Sequence, residues 1–165
     1  MGTTITSVCI LISLIVLPVA SAQDSTQTPK SNTENTMLKI KLTSVVVDDQ
    51  EKAEKFYTEK LGFTIKHDIP MGEYKWLTLV SPDEPDGTEL ALEPNANPAA
   101  KTFYKAMFEQ NIPVAAFTVD DVQKTYEALK AKGVDFTMEP KDVGMAIIAV
   151  FNDTCGNLIQ IMQEK

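Results

Sequence analysis

The chain has 165 residues and a formal charge of −8, and its 15 basic residues are all lysine. An acidic surface argues against nucleic acid and anionic membranes as partners, and the lack of arginine removes the bidentate clamp for a phosphate or carboxylate. The length fits one ordinary domain preceded by a leader.

Val8 to Val19 is an almost unbroken apolar run, and Ala20-Ser21-Ala22 has the small-x-small pattern of a cleavage site. That layout predicts a secretory signal peptide over residues 1–22, too short for a comfortable membrane span, although its first residues lack Lys and Arg. Export to the periplasm or the medium is therefore expected, with no membrane attachment after cleavage. The leader carries no charged side chain, so the whole formal charge stays with the mature protein. Residues 23–36, QDSTQTPKSNTENT, hold nothing able to anchor a core and read as a disordered linker. The folded domain is expected at residues 37–165. Its one cysteine, Cys155, excludes an intramolecular disulfide and reads as a small, partly buried residue beside a turn.

Within the domain, Val45 to Phe63 (VVVDDQEKAEKFYTEKLGF) contains a strand, a cap, an amphipathic helix and a stop. The three valines favour a strand. Asp48 is placed to cap the helix, with Glu51 completing a capping-box pattern. Ala53, Phe56, Tyr57 and Leu61 form the helix's apolar face, and Gly62 suits the left-handed residue that ends it. A second copy follows 72 positions later, where Val47-Asp48-Asp49 falls on Val119-Asp120-Asp121, Lys52 on Lys124 and Lys60 on Lys132. There Asp120 is the expected cap, Val122, Tyr126 and Leu129 the buried stripe, and Gly133 the stop. The paired aspartates look like a carboxylate cluster, but capping accounts for them.

Strand-like runs follow each helix: Phe63 to Lys66, Tyr74 to Val80 and Glu89 to Leu92, then Phe136 to Met138, Ala146 to Phe151 and Leu158 to Met162. Pro70-Met71-Gly72, Ser81 to Gly87 and Asn152 to Asn157 mark turns. Both halves therefore read βαβββ, at about 37–94 and 113–163. A connector from Asn95 to Gln110 carries a helical stretch with Phe103, Tyr104, Met107 and Phe108. The fold class is α+β: two βαβββ modules in tandem, forming a curled mixed sheet around a cavity.

VVVDDQEKAEKFYTEKLGF, FTVDDVQKTYEALKAKGV and the final FNDTCGNLIQIMQ resemble the vicinal oxygen chelate superfamily, the family of glyoxalase I, bleomycin-resistance proteins, fosfomycin-resistance enzymes and extradiol dioxygenases. The resemblance covers nearly all of residues 37–163 and implies a glyoxalase-like cavity. It leaves the reaction open, because that fold hosts many chemistries. In metal-using members four strands each supply one ligand. Carried over, those positions hold Leu42 and Val114 where His is usual, Glu89 at the acidic ligand and Gln160 where Glu is usual. Leu and Val have no lone pair to give, so Glu89 and Gln160 are the only candidate metal ligands. Catalytic metals normally take three or more protein ligands, so no metal cofactor is expected. The only histidine, His67, reads as an exposed turn residue.

The same positions become candidates for binding a small molecule: Leu42, Ser44, Trp76, Glu89, Glu93, Val114, Thr118 and Gln160. Glu93 shares a strand face with Glu89, so either or both can face the cavity. Glu89 reads equally well as a solvated strand-end carboxylate. Gln160 shares a face with Leu158 and Met162, where an unpaired buried amide is costly, which favours a pocket. Trp76 serves either as an aromatic wall or as packing under the connector. Ser44 and Thr118 are read as matching hydroxyls of the two repeats, and Tyr104 as packing within reach of a ligand.

Two functions follow. One is an exported, metal-independent small-molecule binding protein acting as a monomer or homodimer. The other is a glyoxalase-like lyase, isomerase or transferase with Glu89 as general base, its pKa tuned upward by desolvation.

Overall fold

The structure is a computed structural model that describes residues 37–165. The expected leader and linker lie outside the described residues. Leu38–Lys165 forms one compact unit.

The first module contains β1 (Leu42–Val47), α1 (Gln50–Lys55) with a π-helical turn (Phe56–Lys60), β2 (Thr64–Met71), β3 (Tyr74–Val80) and β4 (Glu89–Pro94). After α2 (Pro98–Glu109), the second module runs β5 (Ala115–Thr118), α3 (Val122–Ala131), β6 (Asp135–Asp142), β7 (Ala146–Asn152) and β8 (Leu158–Glu164). Each module makes a four-stranded mixed sheet of the same topology, β1-β4-β3-β2 and β5-β8-β7-β6. The first strand of each lies parallel to the last, and the remaining pairs are antiparallel.

The helix caps fall one residue later than the sequence pattern places them. Asp49, not Asp48, accepts from the amides of Glu51 and Lys52 at 2.9 and 3.0 Å. Asp121, not Asp120, accepts from Lys124 N at 2.9 Å. The reason is visible at Asp48: its N–H donates to Cys155 O at 3.1 Å, so that residue still belongs to the junction between modules. Gln50 then reaches across with Nε2 to Lys75 O and Leu92 O at 2.9 and 2.7 Å.

Both helices stop where a glycine takes a positive φ, +87° at Gly62 and +81° at Gly133. After α3 the closure is a Schellman pair, Gly133 N to Lys130 O and Val134 N to Leu129 O. After the π turn the equivalent bonds are Gly62 N to Thr58 O and the longer-range Phe63 N to Tyr57 O.

One face of each sheet packs inward. Val45, Val47, Leu77, Leu79, Leu90 and Leu92 from the first module join Ala149, Phe151, Ile159 and Ile161 from the second in a single core with the helix stripes. Phe56 meets Phe151 at a centroid distance of 6.1 Å, and Phe63 meets Phe117 at 5.1 Å. The repeat also shows as an exchange. Lys60 Nζ donates to Lys132 O at 2.6 Å, and Lys132 Nζ donates to Lys60 O at 2.9 Å. Each lysine thus places its charge at the carbonyl end of the other module's helix, where the helix dipole favours a cation.

The junction is closed by a buried polar cluster. Asp153 is fully buried and accepts from Tyr57 Oη at 3.0 Å, Cys155 N at 2.8 Å, and Asn157 N and Nδ2 at 2.9 and 2.8 Å. Asn157 Nδ2 also donates to Val46 O at 2.9 Å, and Lys52 Nζ donates to Thr154 O. Burial raises the Asp153 carboxyl above its ordinary value, against the pull of these four donors.

Candidate functional site

Strand alternation fixes what the outward face of the first sheet displays. Leu77 and Leu79 turn into the core, so Tyr74, Trp76 and Thr78 turn out. Pairing sets Leu42 against Glu89, Ser44 against Ala91 and Val46 against Glu93. It also sets His67 against Thr78, Ile69 against Trp76 and Met71 against Tyr74.

Glu89 stands at the centre of a polar cluster on this face. It is buried, with 7% of its surface exposed, and accepts from Thr78 Oγ1 at 2.9 Å. Lys41 Nζ lies 3.2 Å from Oε1 and His67 Nε2 lies 3.7 Å from Oε2. The Thr78 hydrogen bond, then the Lys41 hydrogen bond and charge and the nearby imidazole, hold the carboxyl below its ordinary value despite burial. This corrects the upward tuning that the general-base reading requires. An acid held ionised by three partners is a poor proton acceptor at neutral pH.

His67 is the second correction. It sits in β2, not in a turn, because β2 runs on through Ile69-Pro70-Met71. Proline is tolerated there since β2 is an edge strand. A register shift between Ile65 and His67 separates their two pairings, and His67 comes to lie across from Thr78. Lys41, His67 and Thr78 were missed as partners of Glu89.

At the other end of the face Ser44 Oγ donates to Glu93 Oε1 at 2.6 Å. The exposed apolar residues of this face flank the carboxylates: Leu42 on β1, 40% exposed, beside Glu89, and Trp76 and Ile69, 37% and 51% exposed, on β3 and β2 toward the Glu93 end. Trp76 is therefore a wall of the open face, not packing beneath the connector.

The second sheet is plainer. Gln160 lines a cavity of about 410 Å³ with Asn111, Pro113, Met138, Ile148 and Val150. Val114 packs partly buried against the core. Thr118 lies at a groove beside Phe63 and Phe117. Its position is not the repeat equivalent of Ser44, because the 72-residue shift places Ala116 there. Cys155 is buried, and burial followed by the Asp153 charge pushes its thiol up to about 12, which makes it an inert wall.

Glu89 and Gln160 lie on different sheets, and Glu89 is already engaged. Among the described residues no group of three or more His, Cys, Asp or Glu is placed to hold a metal ion. This donor set does not fit the metal that the glyoxalase fold carries in metal-using members.

The family profile described as Glyoxalase/Bleomycin resistance protein/Dioxygenase superfamily matches residues 39–161, and the chain belongs to that superfamily. It is similar to the uncharacterized protein YurT of Bacillus subtilis (strain 168), 58% identical over 127 residues, covering 77% of this chain and 100% of YurT. Among solved structures it is similar to UcmS2, with 32% identity, a TM-score of 0.68, and coverage of 78% of this chain and 99% of that one. It is also similar to TnmS3, an antibiotic binding protein from Streptomyces sp. CB03234, with 30% identity, a TM-score of 0.63, and coverage of 79% and 98%.

Proposed function

We propose that this protein is an exported, metal-independent binder of a small organic molecule, held against the outward face of the first sheet. The observation that carries the reading is a pair of hydrogen-bonded carboxylates, Glu89 and Glu93, flanked by exposed apolar side chains, Leu42 on one side and Trp76 and Ile69 on the other. A concave, mostly apolar site with a few oriented polar groups is the usual design of a ligand pocket. The likeness to an antibiotic binding protein supports the same reading.

In one chain this face is open on the side away from the core, and so is the face carrying Gln160. Large apolar side chains left exposed together on one face mark an interaction site. A second copy of the chain, laying its Gln160 face over the Trp76 face, would enclose a ligand on both sides. The active form is accordingly a homodimer.

Native mass spectrometry and metal analysis of one untreated preparation test the reading together. The expected result is a dimer that carries an organic ligand and substoichiometric metal. Stoichiometric Ni, Zn, Mn or Fe bound at micromolar affinity would sink metal independence. A strictly monomeric protein would sink the shared cavity.

A further inference from the structure

A second cavity lies away from the Glu89 cluster. It has a volume of about 390 Å³ and sits where α2 crosses the end of β1 and the β7–β8 turn. Val46, on its wall, is four residues along β1 from Leu42, a distance of about 13 Å. The volume is within the ordinary range for small-ligand pockets.

Its walls divide by chemistry. Val46, Cys155 and Gly156 form one side, and the thiol is inert as described above. Tyr104 and Phe108, both half-buried, form the aromatic side from α2. Burial and the charge of Glu93 raise the Tyr104 hydroxyl, so it stays protonated. On the walls Lys101 and Lys105 carry positive charge and Glu109 negative, with Glu93 near enough to act on Tyr104. Lys105 is paired with Glu109 at 3.7 Å, whereas Lys101 makes no ion pair among the described residues.

One further group lacks a partner. Asn95 lines the cavity, and its Oδ1 is shielded from solvent without accepting a hydrogen bond. An acceptor left so is unfavourable and calls for a donor. That oxygen is closed to solvent in this structure, so a donor reaches it only when the groups around it part.

We propose that this cavity is a second small-molecule site, on the other side of Glu93 from Trp76, and that it takes a small aromatic carboxylate bearing a hydrogen-bond donor. The carboxylate meets Lys101, the ring packs against Tyr104 and Phe108, and the donor satisfies Asn95 Oδ1. With no arginine in the chain, the carboxylate is held by lysine alone, which sets a modest affinity.

The test is an NMR titration of the full chain with 4-hydroxybenzoate, with 4-hydroxybenzamide as the neutral comparison. Saturable shifts are expected at Gly156, Tyr104 and Phe108, with the Trp76 indole resonance unmoved. Removing either charge, through the amide probe or through Lys101→Met, is expected to weaken binding roughly tenfold. Lys101 is exposed, so that variant keeps the fold. The proposal is overturned if the amide binds as tightly as the acid or if Lys101→Met leaves the affinity unchanged. It also fails if the shifts centre on Trp76, or if no saturation occurs at millimolar probe.

Discussion

The two modules share their topology and inward faces and differ in what they display outward and in their turns. Inward, each sheet lays valine, leucine, isoleucine or phenylalanine against its helix, and both contribute to one core. Outward, the first sheet carries Lys41, His67 and Thr78 around Glu89, with Ser44 and Glu93 beyond. The second carries Met138, Ile148 and Val150 around a single amide, Gln160. The turns diverge in the opposite sense. The β7–β8 turn supplies Asp153 and Asn157 to the junction, while its counterpart, Ser81 to Thr88, is largely exposed. Duplication thus gave two equal scaffolds, of which one came to hold the polar site and the other the structural clasp.

If that division holds, damage to the two faces of one strand should differ sharply. Phe151→Ala removes a fully buried ring that touches Phe56 and Phe136, and is expected to cost about 3–5 kcal/mol. Ile148→Ala, on the outward face of the same strand, should cost about 1 kcal/mol or less. Urea denaturation of both variants measures the contrast, and equal losses would erase it.

The clasp comes next. Asp153→Ala strips the acceptor from four donors at once, and a loss of about 2–4 kcal/mol is expected. Ser81→Ala, its counterpart by the repeat, should be neutral within about 0.5 kcal/mol. Tyr57→Phe removes one bond of the clasp and should cost about 1 kcal/mol at neutral pH. Its pH dependence sharpens the point. Burial, then the Asp153 charge, raises the Tyr57 hydroxyl well above the ordinary 10.0. A raised value stabilises the fold below the unfolded pKa, and that contribution is lost as pH rises through the folded one. The wild type should therefore lose stability above about pH 10 more steeply than Tyr57→Phe does.

The inward faces were legible in the sequence because period-two and helical patterns record burial directly, and the offset of Lys60 and Lys132 recorded the repeat. The caps were misplaced by one residue because two consecutive aspartates satisfy the same local rule, and the bond from Asp48 N to Cys155 O that separates them is long-range. Glu89 was found through its strand position, but its partners were not. Lys41 precedes the strand, His67 follows a register shift, and neither irregularity leaves a periodic trace. The clasp was hidden for the same reason: NDTCGN reads as a turn, and nothing local says that its aspartate meets Tyr57.

The smallest expected effect bears on the symmetry itself. Lys60 and Lys132 are repeat equivalents, and each donates to the other's helix-terminal carbonyl. Lys132 is exposed and Lys60 half-buried, so each contact should contribute about 0.3–1 kcal/mol. Lys60→Ala and Lys132→Ala are therefore expected to cost the same, and salt should weaken both contributions in parallel. The double variant should lose about the sum, since each lysine bonds a separate carbonyl. Thermal unfolding at low and high salt measures this. Unequal single losses would show that the exchange is only geometric, and that the two modules differ in energy even where their sequence and structure coincide.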